Sequence, residues 1–241
     1  MIGTPPWKEY MKRITPLLLL FLSLGITNAW AGITGSTNPS DFQDPVDWCV
    51  NYGCNGQQLG TPQTWISNGS RTGLVGLVSS QNMEIRQQGV SWGGNFDPGM
   101  GVIYNGVETL GNTPGGILVS FDSPVFGAGA YIQDDFPGAF TATIQLFDSS
   151  FNLLGTFSAP GNSDQNPGTA LFIGAFDSSA DVSYALFDTN DDDFAIGTMR
   201  LKTSQQGTTP EPSTLLLVGP SMLGLAGVLR RRLSRKSQEV R

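Results

Sequence analysis

The stretch Phe140–Phe157, FTATIQLFDSSFNLLGTF, decides the fold class of this chain. From Thr141 to Leu146, polar and apolar residues alternate with the period of two that places neighbours on opposite faces of a β-strand. Asp148–Asn152 is rich in turn-forming residues, and Leu153–Phe157 resumes a strand pattern. The stretch therefore predicts a β-hairpin.

Similar short segments recur on both sides of this hairpin, separated by Gly, Pro, Asn and Asp. The predicted strands are Gly73–Val78, Met83–Arg86, Gly101–Tyr104, Ile117–Phe121, Ala128–Ile132, Phe140–Phe147, Leu153–Phe157, Ala170–Phe176, Val182–Phe187 and Phe194–Leu201. No window of ten or more residues between them carries a helical apolar stripe. We expect an all-β fold, an antiparallel β-sandwich with jelly-roll-like connections.

The composition excludes several classes of protein. The 241 residues include no His and two Cys, so His-dependent triads, His-ligated metals, all-cysteine zinc sites and iron–sulfur clusters are ruled out. Between positions 32 and 209 lie seventeen acidic and four basic residues, a formal charge of −13. Nucleic acid is therefore not an expected partner, whereas divalent cations are attracted to such a body.

Residues 1–31 have the pattern of a secretory signal peptide. A basic start precedes the apolar run Leu17–Ile26, and Ala29 and Ala31 form the small-residue cleavage pattern. As a helix this run reaches about 15 Å, half of a bilayer core, which disfavours the alternative of an uncleaved anchor. Met11 begins a more typical signal and is an alternative start to Met1.

The C-terminus carries a second targeting pattern. The triplet Pro210, Glu211 and Pro212 precedes Leu215–Leu229, a predicted transmembrane helix without a charged residue. An arginine cluster follows at Arg230, Arg231 and Arg232. The positive-inside rule places this cluster in the cytoplasm and the triplet on the outer face of the inner membrane. A plain C-terminal anchor is the alternative.

These three parts, in this order, resemble the PEP-CTERM sorting signal of Gram-negative bacteria. The resemblance implies recognition of Pro210–Pro212 by an exosortase-like processing enzyme, with the arginines as the membrane stop signal. Proteins with this signal are associated with exopolysaccharide and with the cell surface or extracellular matrix. The chain is expected to be membrane-anchored before its C-terminal processing.

The body also resembles a globular domain common in PEP-CTERM proteins. The segments that carry this similarity are Ile117–Ala130, Phe140–Asp148 and Asp192–Gly197. The chain departs from the pattern at Gly197, where relatives tend to have Asp.

Five segments are expected along the chain. They are a signal peptide (1–31), a loop-rich N-terminal extension (32–72), the β-sandwich domain (73–203), a linker (204–209) and the sorting signal (210–241).

Cys49 and Cys54 are the two cysteines of an exported chain, so a disulfide closing a tight loop is the expected pairing. Their spacing is not that of a Cys-x-x-Cys redox motif.

The acidic run at 188–193 is the best metal candidate. Asp188, Asn190 and Asp192 match the first half of a D-x-N-x-D calcium loop. The second half fails, because Asp193 replaces Gly and Met199 replaces Glu. A calcium loop between strands and a solvated acidic turn both remain open, as they do for Asp134–Asp135, and no other cofactor is expected.

Enzyme activity is not expected. A glycosidase needs two carboxylates at a defined separation, and Glu84, Glu108 and fifteen Asp of the body suggest no such pair. Trp48, Trp65 and Trp92 are candidates for stacking on sugars or for packing in the core, and exposure decides between these roles. The sequence predicts a non-catalytic structural or adhesive β-domain, with a carbohydrate-binding module, calcium-dependent or not, as the alternative.

Overall fold

The computed structural model describes residues 32–54, 56–78, 82–106, 115–191 and 193–205, and all ten predicted segments form strands within it. The strands are β1 (Thr34–Ser36), β2 (Asp44–Val46), β3 (Gln58–Gly60), β4 (Gln63–Ile66), β5 (Thr72–Leu77), β6 (Asn82–Gln87), β7 (Gly101–Tyr104), β8 (Ile117–Val125), β9 (Gly127–Asp134), β10 (Gly138–Phe147), β11 (Leu153–Ser163), β12 (Leu171–Phe176), β13 (Val182–Thr189) and β14 (Phe194–Lys202). A 3-10 turn spans Pro39–Asp41, and helix α1 spans Trp48–Tyr52.

The strands form two sheets whose strand pairs are antiparallel, which confirms the predicted β-sandwich. Sheet A has the order β1-β12-β9-β14-β7-β6-β3, with β2 paired to β14. Sheet B has the order β11-β10-β13-β8-β5-β4. From β7 to β14 the chain changes sheet at every connection except the β10–β11 hairpin, which gives the order β7-β14-β9-β12 in sheet A and β8-β13-β10-β11 in sheet B. This winding is the pattern expected of a jelly roll.

The alternation that identified β10 also builds the core. Phe140, Ala142, Ile144 and Leu146 are buried between the sheets, while the intervening side chains of β10 lie on the outer side. Burial of each large apolar side chain stabilises the fold by roughly 1.5–3 kcal/mol. The period-two pattern therefore fixes which face of each strand joins the core.

The predicted hairpin is present as β10 and β11. In its turn, Asp148 Oδ1 accepts hydrogen bonds from the backbone N–H groups of Ser150 (2.8 Å) and Asn152 (2.9 Å). Phe151 adopts a left-handed backbone conformation (φ 64°) in the same turn. A turn built around one aspartate thus sets the register of the longest strand pair.

Residues 32–72, predicted as a loop-rich extension, do not lie apart from the sandwich. Strands β1, β2 and β3 add to sheet A, and β4 adds to sheet B. Three of these strands have three residues each, and β2 contains Pro45. Such short segments carry too few residues to display an alternating pattern, which is why the sequence suggested loops.

The outer face of sheet A is covered by other parts of the chain. Trp92 and Phe96, from the β6–β7 connection, form a second buried cluster with Val102 and Tyr104 of β7. Phe42, which precedes β2, packs on Phe172 and Phe176 of β12. Sheet A is therefore buried on both sides.

The terminal predictions lie outside the described residues. These are the signal peptide with Ala29 and Ala31, the triplet Pro210, Glu211 and Pro212, the helix Leu215–Leu229, and the stop signal Arg230, Arg231 and Arg232. Among residues 32–205, as far as they are described, no helix has the length and apolar character needed to cross a bilayer.

Candidate functional site

Cys49 and Cys54 form the predicted disulfide, with 4.9 Å between their Cα atoms. Cys49 lies in α1, whose first turn is capped by the Asp47 carboxylate. The bridge packs against β7, because a Cβ built on Gly101 would come within 2.5 Å of Cys49 Sγ. The disulfide thus closes the turn after α1 and packs against sheet A.

The three candidate tryptophans are buried, so none of them offers a ring for sugar stacking. Trp48 and Trp65 are fully buried in the main core, and Trp92 lies in the second cluster. Trp48 Nε1 donates a hydrogen bond to the carbonyl oxygen of Gly197 at 2.7 Å. Their role is packing, and a carbohydrate site built on these tryptophans is ruled out.

The predicted calcium loop is only partly described, since Asp192 lies outside the described residues. The side-chain oxygen of Asn190 accepts a hydrogen bond from the backbone of Thr141, and Asp188 Oδ1 accepts one from Thr189 N at 3.0 Å. Both side-chain oxygens therefore accept hydrogen bonds from backbone N–H groups. In the described part of the chain, no three His, Cys, Asp or Glu side chains converge as a set of metal ligands.

The structure does bring the two acidic runs of the sequence together. Asp134 and Asp135, at the end of β9, meet Asp191 and Asp193, from the β13–β14 connection, at one end of the sandwich. Asp135 N donates to the carbonyl oxygen of Asp193 at 2.9 Å. We call these four residues the acidic corner.

Asp134 and Asp135 of the acidic corner lie in different environments. Burial, together with the contact and charge of Asp191, raises the pKa of Asp134 to about 7. Asp135 lies on the outer side of sheet A, where Tyr104 Oη donates to its Oδ2 at 3.1 Å. Burial and the charges of Asp135 and Asp193 raise the pKa of Tyr104 above its usual range. Tyr104 is therefore a neutral hydrogen-bond donor.

The outer face of sheet B presents a second candidate site. Tyr184 of β13 lies beside Phe147 of β10 and Ser120 of β8 in the strand register. Phe151 stacks near Tyr184, with 4.2 Å between ring centroids. Ile66, Leu74 and Phe151 are 56%, 42% and 52% exposed. The open face is defined here by six side chains: Ile66, Leu74, Leu118, Phe147, Phe151 and Tyr184.

A shallow groove of about 240 Å³ crosses the open face. Gly76 forms part of its floor, and Pro62 lies against that glycine on one side. The lining residues are Thr61, Pro62, Leu74, Gly76, Leu77, Leu118, Ser120 and Tyr184. The groove is thus apolar, with one aromatic ring and two hydroxyl side chains from Ser and Thr.

Polar pairs continue from the groove toward the edge strand β11. Thr143 and Ser158 hydroxyls lie 2.9 Å apart, and Gln145 donates to Thr156 Oγ1 at 3.4 Å. These four outer side chains of β10 and β11 are thus uncharged hydrogen-bonding groups. Apolar rings beside hydroxyl and amide groups match the chemistry of a sugar, which has apolar ring faces and a hydroxyl rim.

Sequence reasoning identified both acidic runs but missed the open face. Tyr184 and Leu74 lie within predicted strands, and the alternation in β13 and β5 places them on the outer side. An apolar residue at an outward position is the signal that marks such a face. Its meaning depends on which strands are adjacent, and the sequence does not supply that.

No family model matches the chain, and no curated protein matches it. A solved structure of a DUF4465 family protein from Bacteroides caccae is 11% identical, with a TM-score of 0.35, covering 61% of this chain and 93% of that one. The module CsCBM6-3 from Clostridium stercorarium, solved with cellobiose, is 12% identical, with a TM-score of 0.25 and coverages of 68% and 95%. The CBM22-1–GH10 modules of xylanase 10B from Clostridium thermocellum, solved with xylohexaose, are 10% identical, with a TM-score of 0.20 and coverages of 76% and 28%.

Proposed function

We propose that this chain is an exported, non-catalytic adhesive protein of the cell surface or extracellular matrix, and that its open face binds a polysaccharide. The observation that carries the proposal is the difference between the two sheets. The outer face of sheet A is covered by aromatic side chains of the same chain, whereas that of sheet B keeps Ile66, Leu74 and Phe151 exposed. Exposed apolar patches rimmed by polar residues are typical of interaction sites.

The groove supports binding without catalysis. Its lining contains no carboxylate, and the chain has no His to act as a general base. Glu84, a glutamate of the body, forms an ion pair with Arg86 at 2.8 Å on sheet A. The acidic corner also belongs to sheet A and its connections, so it does not furnish acids to the groove.

The charge of the body favours a neutral polysaccharide. The segment 32–209 has a formal charge of −13, and Asp122 and Asp188 extend from the outer sides of β8 and β13. An anionic polymer on this face meets like charge, which costs free energy unless cations screen it. A neutral, hydroxyl-rich chain meets no such penalty.

The delivery route is proposed from the sequence alone. The signal peptide is expected to export the chain, and an exosortase-like enzyme is expected to process it at Pro210–Pro212 before it joins the exopolysaccharide. If the groove binds the polysaccharide of the extracellular matrix, it would also retain the protein in that matrix.

Retention of the exported chain on immobilised neutral polysaccharides tests the binding site. We expect Tyr184→Ala to weaken retention at least about tenfold, roughly 1.4 kcal/mol, because the ring beside the groove is lost. Phe136→Ala is the control, since Phe136 is an exposed aromatic residue outside the open face. Equal retention of both variants would contradict the proposed site.

The intact mass of the chain recovered from the surface or medium of a Gram-negative host tests the delivery route. A mass that corresponds to a start near Gly32 and an end near Pro210–Pro212 is expected. A mass that includes Leu215–Arg241 indicates a plain anchor and refutes processing. The binding proposal is unaffected by this result.

A further inference from the structure

The acidic corner contains a buried carboxylate, Asp134, whose charge is not balanced by any base among the described residues. Asp134 is 2% exposed, and its Oδ1 receives no hydrogen bond from the part of the chain that the structure describes. Its side chain lies within hydrogen-bonding distance of the Asp191 carboxyl group. Two carboxylates in such contact repel one another unless a positive species lies between or beside them.

The charged groups that act on Asp134 are themselves acids. They are Asp191 and Asp135. Arg86 reaches this network through Tyr104, but its guanidinium pairs with Glu84 at 2.8 Å and lies 4.1 Å from the Tyr104 ring centroid. This arginine therefore compensates groups on the outer side of sheet A rather than Asp134.

The main chain holds the two acidic segments in place. Asp135 N donates to Asp193 O, and Asp193 leads directly into β14, which pairs with β9. On the inner side, Ser163 Oγ donates to the carbonyl oxygen of Asp134 at 2.8 Å. The backbone of Asp134 is thus fixed by the sheet, and Asp191 approaches its carboxylate from an adjacent connection.

We propose that Asp134 and Asp191 bind a divalent cation, calcium, which joins the end of β9 to the β13–β14 connection. Carboxylate oxygens are the ligands preferred by this hard cation, and the acids of the corner add to its attraction. Two side chains leave most of the coordination to water and local backbone oxygens. The affinity is accordingly in the range of extracellular calcium modules, about 0.1–1 mM.

This site differs from the D-x-N-x-D loop suggested by the sequence. Asn190 binds the backbone of Thr141 on sheet B, and Asp188 lies on the outer side of β13. The proposed ligand Asp134 comes instead from sheet A, and only the strand pairing brings it near Asp191.

Thermal unfolding of the full exported chain, with and without calcium, tests the proposal. At about 5 mM calcium and about pH 8, we expect the Tm to rise by about 3 °C over its value in a chelator. Asp134→Asn and Asp191→Asn should each abolish the rise. Asp188→Asn and the distant Asp122→Asn should retain it.

The chelator samples show whether the variants fold. We expect Asp134→Asn to unfold at a higher temperature than the native chain in chelator, because an amide next to Asp191 removes the like-charge repulsion. Loss of the calcium response in that folded variant supports the site. Terbium luminescence excited through the protein's aromatic residues is a second readout: it should appear with the native chain and be lost in Asp134→Asn and Asp191→Asn.

Three results would overturn the proposal. They are no Tm rise in the native chain, an unchanged rise in Asp134→Asn or Asp191→Asn, or a rise lost in Asp188→Asn alone. Polysaccharide retention measured in chelator is independent of this site, so failure of the cation proposal and failure of the open face are distinguishable.

Discussion

At the scale of single residues, Gly197 shows how little room the fold leaves beside β14. A Cβ built on this glycine would approach Met100 Sδ to within 2.4 Å and Phe96 to within 2.9 Å. Gly197 also lies where the register between β14 and β9 shifts. A side chain at position 197 therefore does not fit the packing of this chain without displacing its neighbours.

We expect Gly197→Asp to lower the free energy of unfolding by at least about 3 kcal/mol. The side chain must displace Met100 and Phe96, and its charge is placed in an apolar cluster. Chemical denaturation measures the loss. Gly60→Asp is the control, because no atom lies within 4 Å of a Cβ at Gly60. Equal losses in the two variants would contradict this account.

Asp148 provides a test of the hairpin turn. Hydrogen bonds from the Asn152 side chain and then from its backbone lower the pKa of Asp148. We expect Asn152→Ala to move that pKa back toward the ordinary aspartate value, as followed by NMR titration of the carboxyl carbon. Ser150→Ala should leave it unchanged, because Ser150 contributes its backbone N–H. An unchanged pKa in Asn152→Ala would argue against the turn.

At the scale of elements, α1 protects the edge of sheet B. Asn51 accepts a hydrogen bond from Ile66 N at 2.7 Å and donates one to Ile66 O at 3.0 Å. Tyr52 Oη donates to Thr64 O at 2.9 Å. Helix side chains thus occupy backbone groups of β4 that are otherwise free to pair with another chain.

Replacing Asn51 with Ala should expose this edge. We expect a loss of about 1–2 kcal/mol of stability and an increase in self-association, because both backbone groups of Ile66 lose their partner. Denaturation and sedimentation measure the two effects. Val50→Ala, at the adjacent and 78% exposed position, should show neither effect. A monomeric, fully stable Asn51→Ala variant would show that the edge needs no protection.

The long strands were predictable because each carries its own signal. The alternation in β10 and the apolar runs of β9, β13 and β14 are local, and the core forms from them directly. The short strands β1–β4 carry no such pattern and form only because β12, β14, β6 and β5 offer partners. Their pairing is a property of the assembled sheets.

Some features of the candidate sites were likewise predictable from the sequence, and others depend on strand pairing. The disulfide was predictable from two cysteines in a chain with a predicted signal peptide, and both acidic runs were visible as sequence clusters. The contact between Asp134 and Asp191 was not, because it depends on the pairing of β9 with β14. The tryptophans were ambiguous, since the ring that packs in a core is the same ring that stacks on a sugar.

At the scale of the whole molecule, the two outer faces have different roles. The covered face of sheet A contributes to stability, whereas the open face of sheet B leaves apolar area in water. We expect the double change Ile66→Ser and Leu74→Ser to reduce retention on a hydrophobic-interaction column while lowering stability by less than about 1 kcal/mol, because both side chains are exposed. Val90→Ser, at an exposed position outside the open face, is the control and should change retention less.

Strand β14 spans the domain from the acidic corner to the end at which the described chain finishes. It begins beside the acidic corner and ends at Lys202, roughly 27 Å away by the rise of a strand, and the described chain leaves from there at Gln205. If the C-terminal segment anchors the domain to the membrane, the acidic corner lies at the end of the domain that is farthest from the bilayer. A cation bound at the acidic corner would come from the extracellular medium. The domain would therefore respond to the composition of that medium rather than to the membrane.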